Sequence, residues 1–212
     1  MNYHIDTIPV WEAIELDSEC LLCALHRRLE TGEVERYLGA SVMEPDTRIQ
    51  VNEKGFCGHH QAMLYAVSNR LGHALMLQSH LTETRQKLQK ALHHVEKTAR
   101  HASSASLLDK LSGKEPSPKK ALAPCVGEVE KLLSTCIVCD SIKSNMQRYL
   151  LTFFHLYKHE KDFRKRFEAS KGVCLSHAAE LLRLAPDYLS GDELADFAKT
   201  LCRLENEAMD RM

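Results

Sequence analysis

Apolar residues recur along this chain at spacings of three and four, the period of a helix that buries one face. After Cys57 such a pattern continues without Pro for about forty residues. Leu64, Val67, Leu71 and Ala74 form its first stripe, which polar Gln78 interrupts before Leu81 resumes it. Further on, Leu88, Leu92, Val95 and Ala99 alternate at four and three, the seam of a helix packed on another helix. Ile142, Met146, Tyr149, Phe153 and Leu156 describe another buried face. Leu194, Phe197, Leu201, Leu204 and Ala208 repeat the seam near the C-terminus, so that arm is the expected partner of the first. Asp17-Ser18-Glu19 supply acceptors for a helix N-terminus ahead of the segment running to about Glu30, and Ser134-Thr135 do the same ahead of Cys136. Gly55 and Gly172 end the segments before two helices that start at Cys57 and Cys174. The expected fold class is all-α, a helical bundle with long antiparallel helices.

Composition agrees with that class. Nine Gly and six Pro among 212 residues are too few for a turn-rich sandwich or barrel. A chain of this length buries roughly 70% of its extended surface on folding, so it needs no staple merely to own a core, and any metal must be explained locally. The balance of 28 basic against 29 acidic residues excludes a generally polyanion-seeking surface. Charge is nevertheless segregated. Residues 81–120 carry nine Lys and Arg against four Asp and Glu, whereas residues 1–80 carry six against eleven. Without a recognised nucleic-acid-binding fold, such a basic stretch reads as a solvated helix face or as an arm docked on the acidic half. No stretch approaches the ~20 apolar residues of a membrane span, and His4 and Asp6 stand where a signal peptide would be basic and then apolar. A cytoplasmic address is expected, and there eight Cys read as thiol or metal chemistry before disulfides.

Self-similarity organises those cysteines. Cys20-Leu-Leu-Cys23 is followed by Lys54-Gly55-Phe56-Cys57-Gly58-His59-His60, and Cys136-Ile-Val-Cys139 by Lys171-Gly172-Val173-Cys174-Leu175-Ser176-His177. Cys57 lies 34 positions beyond Cys23, and Cys174 lies 35 beyond Cys139. Each half thus carries CxxC and then CxxH. The expected organisation is a first helical module over 1–101, a Ser/Pro/Lys-rich linker over 102–124 and a second module over 125–212.

Thiolate and imidazole donors in tetrahedral number are what zinc takes, at about 2.3 Å for sulfur and 2.0 Å for nitrogen. Residues three apart in a first helical turn share a face, so each CxxC and each CxxH offers two donors that point the same way. A helix N-terminus also favours the thiolate, through its free N–H groups and dipole. The expected metal ligands are Cys20, Cys23, Cys57 and His60 in the first half and Cys136, Cys139, Cys174 and His177 in the second, with two zinc ions per chain; iron or an iron–sulfur cluster is the alternative. Disulfides fit poorly because three Cys per half leave one thiol over. Haem attachment does not fit, because Ala24 and Asp140 stand where a histidine would follow CxxC. His59 competes with His60 for the first site, but Ser176 occupies its counterpart, which selects His60 with His177. Cys125 and Cys202 have no repeat partners and read as free core thiols.

These motifs, together with Asn69-Arg70-Leu71-Gly72-His73-Ala74-Leu75-Met76, His80-Leu81, Arg148-Tyr149-Leu150 and Phe153-Phe154, resemble a bacterial domain-of-unknown-function family of duplicated helical proteins. The resemblance spans about Ile8 to Leu184. It implies an all-helical cytoplasmic protein with paired metal-binding motifs on the eight residues named above, and it brings no activity. Members are sometimes labelled as substrate-binding proteins of ABC transporters. Neither an export signal nor an alternating βα pattern supports carrying that label to this chain.

Four closed ligands leave no open position for a substrate, which points to a structural scaffold or interaction protein rather than an enzyme. No phosphate loop, HExxH or nucleophile elbow is present. The alternatives are a thiol-based redox or metal sensor, and nucleic-acid or acidic-partner binding through residues 81–120. An unidentified protein and a second copy of the chain, paired through the long helices, are the candidate partners; nucleic acid is not expected to be one.

Overall fold

A computed structural model describes residues 5–103 and 118–211. Among them there are ten α-helices, one short 3₁₀ turn and no strand, so the protein is all-α. In chain order the helices are α1 (Thr7–Glu15), α2 (Leu21–Leu38), α3 (Pro45–Lys54), α4 (Gly58–Ala66), α5 (Arg70–Ser103), α6 (Pro118–Ser134), α7 (Ile137–His159), α8 (Lys161–Glu168), α9 (Leu175–Tyr188) and α10 (Gly191–Asp210), with the 3₁₀ turn at Ala40–Met43. No helix is long and apolar enough to cross a membrane among the described residues.

Two compact units emerge. One comprises residues 1–33 and 140–212, the other residues 34–139, and the borders fall inside α2 and α7. This division differs from the expected modules, because each unit takes its CxxC from one of them and its CxxH from the other. Of the expected linker, residues 104–117 lie outside the described residues, while 118–124 form the first turns of α6.

The unit of residues 1–33 and 140–212 is centred on aromatic rings. Phe153, Phe154, Tyr157, Phe163, Phe167 and Phe197 are all essentially inaccessible, and Trp11 of α1 meets Phe163 edge-on at 5.2 Å. Expected buried faces are realised here: Ile142, Met146, Tyr149, Phe153 and Leu156 of α7 are buried, as are Phe197, Leu201 and Leu204 of α10. The C-terminal stripe therefore fills the core of this unit.

In the other unit the central arm behaves differently from its simple reading. The forty-residue pattern after Cys57 is two helices, broken at Val67, whose backbone is extended. Asn69 causes the restart. Its side chain donates to the Leu38 carbonyl at 2.6 Å and accepts the Gly72 N–H at 2.9 Å, capping α5. Gly72 is required by the same contact, since a Cβ there would lie 2.8 Å from Val42 and 2.7 Å from Asn69. Leu71 is consequently exposed, and His73 and Met76 are buried in its place. The distal seam also shifts by one register. Thr84, Leu88, Ala91, Val95 and Thr98 face inward at four-three-four-three spacing, while Leu92 and Ala99 are exposed. This helix packs on α6, whose covered residues are Leu122, Cys125, Val129 and Leu132 among others, and Thr98 Oγ1 lies 3.8 Å from Cys125 Sγ. Cys125 is thus the buried thiol expected; Cys202 is exposed, against expectation.

Candidate metal centre

All four sequence motifs end up at the same helical position. Cys57 and Cys174 are the N-cap residues of α4 and α9, and Cys20 and Cys136 immediately precede α2 and α7. His60, His177, Cys23 and Cys139 each follow three residues later, in the first turn. At the N-cap, side-chain acceptors ordinarily receive the unpaired N–H of that first turn. At the start of α2 sulfur takes that part, the Cys23 N–H donating to Cys20 Sγ at 3.3 Å.

The four motifs converge in two quartets, each inside one unit. Cys20 and Cys23 meet Cys174 and His177, and Cys57 and His60 meet Cys136 and Cys139. The expected grouping within each half is therefore exchanged: the first CxxC faces the second CxxH, and the second CxxC faces the first CxxH. In each quartet the donor atoms all lie within 4.8 Å of one another. His177 Nδ1 is 3.3 Å from Cys20 Sγ, 3.5 Å from Cys23 Sγ and 3.2 Å from Cys174 Sγ, and the Cys23 and Cys174 sulfurs are 3.7 Å apart. His60 Nδ1 is 3.2, 3.3 and 3.4 Å from the sulfurs of Cys57, Cys136 and Cys139, and Cys57 Sγ lies 3.9 Å from Cys139 Sγ. A tetrahedron with bonds of about 2.3 Å to sulfur and 2.0 Å to nitrogen has edges of about 3.5–3.8 Å. The observed separations, 3.2–3.5 Å from nitrogen to sulfur and 3.7–3.9 Å between sulfurs, lie within about 0.3 Å of those edges, so the donor set fits one tetrahedral ion. His59 stands outside the quartet, its ring 5.1 Å from that of His60.

Three sulfurs in one corner oppose one another's ionisation. Burial raises the Cys23 thiol to about 12, reinforced by Cys20 and then Cys174. Burial likewise leads for Cys139, with Cys136 and Cys57 adding to it, and also takes that thiol to about 12. For Cys57 burial again opposes charge, yet the His60 backbone N–H, the Cys136 and Cys139 thiols and the His59 N–H together hold it below the ordinary thiol value. A corner that lets one sulfur ionise at the expense of its neighbours is one in which a cation lets all three do so.

Residues outside the quartets lock the two facing corners together, and sequence reasoning gave them other roles. Lys171, just before the second CxxH, reaches Asp17 at 2.8 Å and Glu19 at 3.1 Å, just before the first CxxC. Arg211 adds to this clasp by pairing with Glu19 at 3.4 Å and donating to the Lys171 carbonyl at 3.3 Å. In the other unit the clasp closes on backbone carbonyls. Thr135 Oγ1 donates to the Lys54 carbonyl at 2.7 Å, and the Ile137 N–H donates to the Gly55 carbonyl at 3.0 Å. Asp17, Glu19 and Thr135, read from sequence as helix acceptors, thus serve as latches. The Lys-Gly dipeptide ahead of both CxxH motifs was the available signal.

Gly55 has a specific reason to be glycine. Its φ of 63° and ψ of −158° lie in a region essentially closed to other residues, and a Cβ would stand 2.3 Å from His80 Nε2. His80 is itself fixed by a contact of 3.1 Å between its Nδ1 and the Asn52 carbonyl. Gly55→Ala is expected to cost at least about 1–3 kcal/mol of stability from the strained backbone alone. Thermal unfolding together with metal titration checks this: the midpoint should fall, and metal retention should weaken at the Cys57 quartet and not at the Cys20 quartet.

A search of curated proteins finds no match, and a search of solved structures finds none. A family model described as a family of unknown function, DUF6062, matches residues 1–212, and the chain belongs to that family.

Proposed function

We propose that the protein is a zinc-binding helical scaffold in which each Cys3His quartet holds one structural ion. The observation that carries this reading is the pair of quartets with tetrahedral edge lengths between their donor atoms. Each set supplies four protein donors, so an ion bound there has no vacant position for substrate, the arrangement that separates structural from catalytic zinc. Donors this close favour a single ion over an iron–sulfur cluster, whose several irons and sulfides would hold the ligands further apart. One ion would join residues 20–23 to 174–177, the other 57–60 to 136–139, fixing helix N-termini remote in sequence.

What such a scaffold presents is its helical surface. Two basic residues of α5 pair within their own helix, Lys87 with Glu83 at 3.8 Å and Arg100 with Glu96. His94 of α5 lies 3.7 Å from Glu128 of α6. These pairs favour a solvated helix face over a surface built for nucleic acid.

Elemental analysis of protein purified under reducing conditions tests the reading, followed by chelation monitored by helicity. Two zinc ions per chain are expected, with chelation lowering both helix content and the unfolding temperature. Protein that carries no bound transition metal overturns the proposal, and iron with sulfide in place of zinc overturns the assignment of the ion.

A further inference from the structure

The two quartets share a donor set but differ in access to solvent. In the first, Cys20 is buried and Cys23, Cys174 and His177 are partly covered; none is exposed. In the second, His60 and Cys136 are buried, Cys57 is partly covered and Cys139 is exposed. The latches differ in the same sense. The charged clasp of Lys171 and Arg211 on Asp17 and Glu19 closes the first pair of corners. Leu133 and Thr135 occupy the corresponding positions ahead of the second CxxC, so no acidic pair stands there.

We propose that the Cys57–His60–Cys136–Cys139 quartet is an oxidant-responsive site, with Cys139 the point of attack by hydroperoxides and Cys57 the resolving thiol. The inference rests on the metal-site reading above and adds a regulatory chemistry to one of its two sites. With the ion bound all three sulfurs are thiolates, so exposure decides which one a peroxide reaches, and among the quartet cysteines Cys139 is the exposed one. Its sulfur attacks one peroxide oxygen; the S–O bond forms, the O–O bond breaks, and hydroxide or the corresponding alkoxide leaves. Cys57 Sγ, 3.9 Å away, then attacks the sulfenic sulfur, forming an S–S bond and expelling hydroxide. Two sulfurs each lose one electron, and one hydrogen peroxide becomes two waters after protonation. Two of the four donors are consumed, leaving Cys136 and His60, too few to hold a tetrahedral ion. Thiol reductants reverse the step. The first quartet presents no exposed sulfur and keeps its ion.

The test uses the full chain loaded with zinc, with Cys202→Ser to remove the exposed thiol outside the quartets. Hydrogen peroxide is added in limiting amounts, zinc release is followed with a chromogenic chelator, and cysteines are mapped by differential alkylation and mass spectrometry. The expected result is one ion per chain leaving several-fold faster than the other, a Cys57–Cys139 linkage, continued alkylation of Cys20, Cys23 and Cys174, and recovery on reduction. In Cys174→Ser the fast-released ion persists; in Cys57→Ser only the slow one remains. Equal release from both quartets, or earlier modification of the Cys20 quartet, overturns the proposal. A Cys136–Cys139 linkage overturns the role given to Cys57. Protein that arrives without metal overturns the parent reading, and with it this one, whereas two ions that both resist peroxide overturn only the oxidant response.

Discussion

Replacing Cys20 and Cys174 together by Ser is expected to remove the same single ion that either substitution removes alone, whereas Cys20→Ser combined with Cys57→Ser removes both. This non-additivity follows from the exchanged pairing, since residues that share one quartet act as a unit and residues of different quartets do not. Grouping within each half would give the opposite pattern, so zinc stoichiometry in three variants separates the two arrangements. The effect should be large. Structural zinc contributes an apparent ~10–16 kcal/mol in small domains, against ~5–15 kcal/mol for the whole stability of a typical protein. Losing one ligand therefore threatens the unit that carries the broken quartet. The Cys20 and Cys174 variants should show early, separate unfolding of the unit of residues 1–33 and 140–212, and Cys57→Ser the same for residues 34–139. Scanning calorimetry on the zinc-loaded proteins would read this as a split transition whose low-temperature component differs between the two classes. A single unchanged transition in all of them would sink the idea that the ions are structural.

The membership of the quartets and their partition were not equally legible. All eight residues could be found from local spacing, because i and i+3 in a first helical turn point donors one way whatever the turn later faces. Which CxxC meets which CxxH is a matter of topology. Separations of 34 and 35 are compatible with either partner, and the donor count is four in both cases. Nothing local in Cys20-Leu-Leu-Cys23 states that residue 174 comes nearer than residue 57. The same boundary runs through the fold. Helical class and the buried faces of α7 and α10 were readable as period, because tertiary packing there agrees with local pattern. The stripe Leu64, Val67, Leu71 and Ala74 misled only beyond Leu64, which is buried as expected: the helix breaks at Val67, and the next one, capped by Asn69, begins in a new register. Leu92 misled for the opposite reason. It keeps the period yet loses its place to Ala91, whose small side chain suits the close approach of α6. Asp17 and Glu19 carried correct chemistry, anions at a helix start, but their partner Lys171 lies over 150 residues away, where no sequence window reaches.

The aromatic core gives the second large effect, and it reaches a metal corner through packing alone. Phe153 is fully buried, with the rings of Phe154, Tyr157, Phe163, Phe167 and Phe197 at centroid distances between 5.1 and 6.3 Å. Phe153→Ala should cost about 3–5 kcal/mol, the range for deleting a buried ring and leaving a cavity its neighbours cannot fill. That is a large share of a stability of ~5–15 kcal/mol. Phe197 belongs to α10, as does Leu204, whose Cβ would stand 3.1 Å from any Cβ placed on Gly172. Gly172 lies two residues before Cys174 and holds a φ of +90°, so the seating of α10 sets the corner from which Cys174 and His177 project. Loosening the ring cluster should therefore weaken zinc retention at the Cys20 quartet while the Cys57 quartet, in the other unit, keeps its affinity. Phe153→Leu retains most of the volume and should cost less than half as much, with zinc retention close to that of the unaltered chain. Competition for zinc by a chelator of graded strength, run on both variants with Cys57→Ser or Cys174→Ser to isolate one site at a time, makes the comparison. If the Cys57 quartet weakened as much as the Cys20 quartet in Phe153→Ala, the loss would be global unfolding, and the packing route from ring cluster to metal corner would be wrong.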